Sequence, residues 1–267
     1  MTVESIEEMN YTDFVSLIRE ENRPPGGKAT IREILNNSFL NRESKVLEVG
    51  CTNGFTSLEI SRILECEVIG VDINEKSLIN AQKRVKKENV KFQRANAYNL
   101  PFKDNYFDLV ICGNATSFMP KKKKAVEEYI RVVKDWGFVV LTPMYYIKEP
   151  PKEIVDNISE IIGTKIDIIK KEGWLSLFEK SGLEVYYSSD YVFKSRREED
   201  IQEYSQIFTE KPHLSGLSDN LKFKIQEKWG KIMKVFNDNI RYVGYPIILL
   251  RKREEKEFFT SISPNRL

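Results

Sequence analysis

The chain has 267 residues, with 42 Lys and Arg against 40 Asp and Glu and a formal net charge of +2. That length holds one large α/β domain with insertions, and the near-neutral balance excludes the one-signed field that steers a protein to nucleic acid or an anionic membrane. Cys51, Cys66 and Cys112 are too scattered for a disulfide framework or a zinc motif, no apolar run nears the ~20 residues of a membrane span, and the acidic N-terminus lacks a leader pattern, so the expectation is a cytoplasmic protein without metal.

In chain order, a helical stretch is expected over 6–20, then a rigid turn, Arg23-Pro24-Pro25-Gly26-Gly27, then an amphipathic run over 29–40. From Lys45 onward, short β-branched and apolar runs predict strands at 46–49, 68–71, 90–92, 107–112 and 138–141. Helical patterns over 57–64, 75–87 and 121–134 lie between them. This alternation predicts βαβ units with right-handed crossovers and helices on both faces of the sheet. Helices over 152–162 and 173–181 follow, then a strand over 183–193. A charged helical insertion spans 194–241, with helical spacing over 201–208 and 221–236, and a last strand over 243–250 precedes an exposed tail. The expected fold is α/β, Rossmann-like: a doubly wound, mainly parallel, seven-stranded sheet with helical N-terminal and inserted cap elements. Its parts are a lead-in or lid (1–44), a core (45–193), a helical cap (194–241), and the last core strand with its tail (242–267).

The strongest chemical signal is Val-Leu-Glu-Val-Gly-Cys-Thr-Asn-Gly-Phe at 46–55, a buried strand that ends in a two-glycine loop and enters a helix. Glycine lets the backbone turn sharply and leaves no Cβ between loop amides and a ligand, while the helix start offers free N–H groups. The next strand, Val-Ile-Gly-Val-Asp at 68–72, ends in Asp72, placed to accept both hydroxyls of a ribose. Together these imply an adenosine-containing ligand.

With these residues the sequence resembles the class I S-adenosylmethionine-dependent methyltransferases of the small-molecule type, over roughly 45–193. The family's acidic-x-Gly-x-Gly-x-Gly loop corresponds to Glu48-Val49-Gly50-Cys51-Thr52-Asn53-Gly54, with Thr52 in place of the middle glycine. Its acidic residue ahead of Leu-Pro-Phe corresponds to Asn96, followed by Ala97 and by Leu100-Pro101-Phe102, and Phe107-Asp108-Leu109-Val110 matches the strand motif after it. The resemblance implies S-adenosylmethionine as cofactor and S-adenosylhomocysteine as product. It implies that Glu48 and the Gly50 carbonyl hold the methionine amino group, Asp72 the ribose, and Asn96 with the Ala97 amide the adenine. Ile73 would lie on an adenine face, and Gly113 and Asn114 would border the sulfonium.

Methyl transfer from a sulfonium is an in-line displacement on an activated electrophile, so positioning and exclusion of water carry much of the catalysis. No catalytic base is assigned: His213, the sole histidine, reads better as a loop residue. Cys51 and Cys112 read as packing residues, and Lys121 to Lys124 as a solvated turn. In similar methyltransferases the regions of Tyr11, Arg23, Tyr145 and Tyr146 cover the substrate pocket. The expected partner is a small molecule, with a homodimer left open, no membrane, and nucleic acid disfavoured by the charge balance. A nucleic-acid or protein methyltransferase and a non-catalytic cofactor-binding protein are the alternatives. A nicotinamide oxidoreductase is a further one, although Gly50 and Gly54 do not form its Gly-x-Gly-x-x-Gly.

Overall fold

The computed structural model describes residues 2–179 and 181–253; the tail expected to be exposed lies almost wholly outside them. The N-terminal stretch is two helices rather than one over 6–20. α1 (Val3–Glu7) ends, and Asn10 accepts from the Asp13 N–H to start α2 (Tyr11–Leu17). After the Pro-Gly turn, α3 (Lys28–Asn36) buries Ile31 and Ile34.

Strands and helices then alternate as β1 (Lys45–Val49), α4 (Phe55–Leu64), β2 (Glu67–Asp72), α5 (Glu75–Gln82), β3 (Val90–Arg94) and β4 (Phe107–Cys112). α5 ends at Gln82, short of the expected 87. α6 (Lys122–Val132) passes directly into β5 (Val133–Leu141), which begins five residues earlier than expected. That early part is irregular: Trp136 has φ 64°, and the register against β4 shifts between Phe107 and Leu109. Then come β6 (Tyr145–Tyr146), α7 (Lys152–Ile162), α8 (Lys171–Ser176), β7 (Leu183–Val192), α9 (Glu198–Thr209), α10 (Asp219–Asn239) and β8 (Val243–Lys252). α8 begins and ends earlier than the 173–181 expected, and the two-residue β6 had no counterpart among the expected strands.

The sheet runs β3-β2-β1-β4-β5-β8, with β6 and β7 both hydrogen-bonded to β8. β1 to β5 pair in parallel and β8 antiparallel to its neighbours. Because successive side chains of a strand face opposite ways, Leu47 and Val49 enter one apolar cluster and Val46 the other. A third cluster joins Ile6, Phe14 and Ile18 of the N-terminal segment to Phe208, Trp229 and Ile232 of the inserted helices. These two distant pieces of sequence therefore share a core over the carboxyl ends of the strands. No helix among the described residues is long and apolar enough to cross a membrane.

Candidate functional site

The order of the strands reverses between β1 and β4, and a crevice outside the carboxyl ends at such a point is where ligands bind in open α/β sheets. The loop from Gly50 to Gly54 forms its floor. Gly50 has φ 76°, and a Cβ there would lie 2.4 Å from the Ala115 Cβ, so both backbone and space require glycine. Thr52, standing where the family loop carries its middle glycine, is held at φ 45°. A left-handed non-glycine residue costs about 1–2 kcal/mol, offset here by the bond from the Thr52 N–H to Asp72 Oδ2 at 2.9 Å.

The sequence suggested loop amides turned toward a ligand, and the structure corrects this. The Gly50 and Cys51 N–H groups both donate to the Val71 carbonyl, Thr52 to Asp72, and Gly54 to the Cys51 carbonyl. A loop that spends four of its five amides internally is poor for a pyrophosphate, which needs several N–H donors. Among the described residues the Gly50 carbonyl receives only the Thr52 hydroxyl, at 3.4 Å, so the loop suits a cation such as an ammonium.

Glu48 also departs from expectation. Its carboxylate accepts from the Ser57 N–H at 2.8 Å and the Ser57 hydroxyl at 2.5 Å, capping the first turn of α4. Burial pushes its pKa up to about 7, against the pull of those hydrogen bonds. This carboxylate serves the helix start. Asp72 sits at the end of β2 with one oxygen on the Thr52 N–H and the other on the Asn74 N–H, both at 2.9 Å. Each oxygen keeps acceptor capacity for a second donor, which fits a pair of vicinal hydroxyls. Burial raises the Asp72 pKa above the ordinary carboxylate value, opposed by the same backbone bonds. Ile73, 64% exposed, offers an apolar face beside it.

Asn96 spends one lone pair of Oδ1 on the Tyr98 N–H at 2.9 Å and keeps the other. Among the described residues the neighbouring Ala97 N–H has no acceptor. A free donor beside a free acceptor is what the edge of an adenine ring requires. Asn114 differs: its Oδ1 accepts from the Ser117 hydroxyl at 2.6 Å and the Met144 N–H at 3.0 Å, so this side chain is a strut between the loops after β4 and β5. The Cys51 and Cys112 thiols are buried and pushed up in pKa by that burial, as packing residues are. Among the described residues no cluster of His, Cys, Asp and Glu could hold a metal ion.

Residues 20–26 form a roof that the sequence did not resolve. Asn53 Nδ2 donates to the Glu20 carbonyl at 2.5 Å, Asn22 Nδ2 to the Thr52 hydroxyl at 3.0 Å, and Arg84 reaches both the Asn53 carbonyl and Glu21 at 2.8 Å. Asn53 therefore ties the floor to the roof, and its buried Oδ1 has no partner among the described residues. Pro24 covers Gly113: a methyl group added there would lie 3.5 Å from the Pro24 Cβ. Behind the roof the Tyr204 hydroxyl meets Glu20 at 3.1 Å, and Lys211 donates to the Ile18 and Arg19 carbonyls. Burial raises the Glu20 pKa and lowers that of Lys211 to about 8. His213 is engaged in the same seam, its Nε2 3.0 Å from the Leu17 carbonyl.

The four residues expected over the substrate are not brought together. Tyr11 packs edge-on against Phe236 at 5.7 Å at the border of the third core cluster, and Tyr146 is buried with its hydroxyl on Asn239 at 3.1 Å. Tyr145 points to Asp190 at 3.1 Å. Arg23 belongs to the roof, paired with Glu21 and lying 5.0 Å over the Phe55 ring.

Residues 47–141 match the family described as a methyltransferase domain. Over 242 residues the chain is 30% identical to an uncharacterized protein of Haemophilus influenzae, covering 87% of this chain and 93% of that one. It is 23% identical over 223 residues to a (+)-O-methylkolavelool synthase of Herpetosiphon aurantiacus, covering 78% of this chain and 74% of that one. The solved structure of Haemonchus contortus phosphoethanolamine N-methyltransferase 2 in complex with S-adenosyl-L-methionine shares the fold. Its TM-score is 0.70 at 17% identity, covering 95% of this chain and 60% of that one. The chain belongs to the class I S-adenosylmethionine-dependent methyltransferases. It is an enzyme of that type, and S-adenosylmethionine is its cofactor.

Proposed function

We propose that this methyltransferase acts on a small, uncharged acceptor that meets the cofactor beside Gly113, beneath the roof formed by residues 20–26. The observation that carries this reading is the closure of that roof: bonds from Asn53 to Glu20 and from Asn22 to Thr52 fasten it to the floor, and Pro24 lies over Gly113. A crevice roofed in this way admits a compact molecule far more readily than a duplex or a folded protein. Pro24, Thr142 and Asn114 around Gly113 carry no ionised group, which favours an uncharged acceptor. The likeness to a protein named for an O-methylated product supports the same class.

The cofactor assignments belong to this proposal. Asp72 accepts the ribose hydroxyls, Gly50 gives its carbonyl to the methionine ammonium, Ile73 lies against the adenine, and Ala97 with Asn96 meets its edge. The loop residues Cys51, Thr52 and Gly54 keep the floor in shape, and Gly113 lets the methyl end approach the acceptor. When bound, the cofactor supplies a methyl group already activated by its sulfonium. The chain's part is then to orient the two reactants and keep water out. Neither His213 nor Glu48 is free to act as a base, each being committed to a backbone group, so the proton released from a hydroxyl acceptor on methylation passes to neither of them and leaves to solvent.

The test is transfer of isotope-labelled methyl from S-adenosylmethionine to three sets of acceptors: uncharged small alcohols and quinols, bulk RNA, and protein. Label in the first set is expected. Label confined to RNA or protein would contradict the proposal.

A further inference from the structure

The cofactor crevice lies at the carboxyl ends of the strands, and the opposite end of the sheet holds a cavity of its own. From Asp108 near the start of β4 to Gly113 just past its end, the backbone runs about 17 Å. At the Asp108 end, Phe39, Trp136, Phe138 and Arg251 line a space of about 380 Å³ together with Asp108 and Lys134. That volume is in the range of small-molecule sites.

Arg251 reaches this cavity from β8, where it pairs with Phe138 of β5. Its guanidinium lies 5.1 Å from the Trp136 ring, 5.5 Å from the Phe138 and Tyr186 rings and 5.8 Å from the Phe39 ring. Rings answer the faces of a guanidinium, but its N–H groups lie in its plane and need acceptors. Among the described residues Arg251 Nε is buried without one, and the nearby acids are engaged elsewhere. Asp108 accepts from the Lys45 N–H and from Lys134, both at 2.8 Å, Asp135 pairs with Lys252 at 3.5 Å, and Glu43 at the rim is exposed. A buried donor left unpaired is costly, and a cation beside a cavity without an acid marks the place of an anion. The walls carry strain as well: Phe39 and Trp136, 70% and 42% exposed, are held at φ 51° and 64°. Bulky residues rarely adopt a left-handed backbone, and such strain gathers at ligand clamps.

We propose that this cavity is a ligand site separate from the cofactor crevice, and that it takes a small aromatic monocarboxylate, with the carboxylate on the edge of the Arg251 guanidinium and the ring against Phe39 and Trp136. A carboxylate matches the planar fork of a guanidinium, and exposed aromatic walls match an aromatic body. A single negative charge answers the one cation that lacks an acid, whereas a phosphate dianion would also meet the field of Asp108 and Asp135. This reading is independent of the acceptor.

Acrylamide quenching of tryptophan emission in the full chain tests it, because Trp174 and Trp229 are buried and Trp136 is exposed. Benzoate and 3-phenylpropanoate are titrated to about 10 mM, with 3-phenylpropanamide and inorganic phosphate as comparators. The carboxylates are expected to shield Trp136 saturably, the amide to bind about tenfold or more weakly, and phosphate to leave the quenching unchanged. Arg251→Lys keeps the charge and loses the fork, and should weaken the carboxylates about tenfold. Phe39→Gly removes one wall, suits the left-handed backbone, and should weaken them in a chain that stays folded and keeps its S-adenosylhomocysteine affinity. No shielding by either carboxylate, equal shielding by the amide, or unchanged shielding in both variants overturns the proposal. A Trp136 already shielded in the ligand-free chain overturns it equally, since the chain would then fill the cavity itself.

Discussion

In the floor of the crevice, Gly50, Cys51 and Thr52 hand their N–H groups to the next strand, at Val71 and Asp72, about twenty positions along the chain. In the roof, Glu20 meets Asn53 across 33 positions and Tyr204 across 184, and Lys211 reaches Arg19 across 192. The floor is mostly backbone bonded to backbone and is fixed by the sheet. The roof hangs on side chains and on a core shared by two distant segments. Floor and roof should therefore answer differently to mutation: the floor in stability and cofactor affinity, the roof chiefly in closure.

The largest effect is expected at Gly50→Ala. A left-handed backbone and a Cβ pressed on Ala115 together cost about 2–5 kcal/mol of stability, read as a lower denaturation midpoint. A wild-type midpoint would mean that the floor yields as easily as the roof. Next is Asp72→Ala, which removes two charge-assisted acceptors and should weaken S-adenosylhomocysteine binding by about 3 kcal/mol, or roughly two orders of magnitude. Unchanged calorimetric affinity in the folded variant would remove Asp72 from the site.

A smaller effect, seen as a pH profile, should come from Glu48. Its folded pKa, raised by burial to about 7 from 4.5, means the folded state holds a proton that the unfolded chain has released. Its contribution to stability is thus full below about pH 4.5, falls as pH rises, and levels off above about 7. Glu48→Gln keeps an acceptor for Ser57 and should flatten that part of the profile. An identical slope in both proteins would show the group is not the source.

The smallest effect is expected at Tyr204→Phe. It loses one hydrogen bond to Glu20 behind the roof and should cost about 1 kcal/mol, without touching the cofactor contacts. Faster S-adenosylhomocysteine release with an unchanged on-rate is the predicted sign of a looser roof. A slower on-rate instead would place Tyr204 on the floor side of the comparison.

The same contrast explains what could be read from the sequence. Val46 to Val49 and Val68 to Val71 are short apolar runs closed by Gly50 and Asp72, and local pattern suffices for them. The parallel core followed, with Asp72 at the end of its second strand. Glu48 looked like a ligand because a motif names residue types and not where a carboxylate turns; Ser57 in the first turn of α4 was the available sign of the cap. Tyr11 and Tyr146 looked exposed to a substrate because their partners, Phe236 and Asn239, lie in a helix some 90 to 225 positions away. Asn10 was a local signal, a helix-starting residue inside the run taken as one helix. β6 is too short to show periodicity and exists only because β8 lies beside it.

The most direct test of the cofactor site is a crystal structure of the chain with S-adenosylhomocysteine. The account predicts both ribose hydroxyls on the Asp72 carboxylate, the adenine edge at the Ala97 N–H with Ile73 against its face, and the ammonium at the Gly50 carbonyl. A ligand lying away from Asp72, or an ammonium bonded directly to Glu48 with the α4 cap broken, would contradict it.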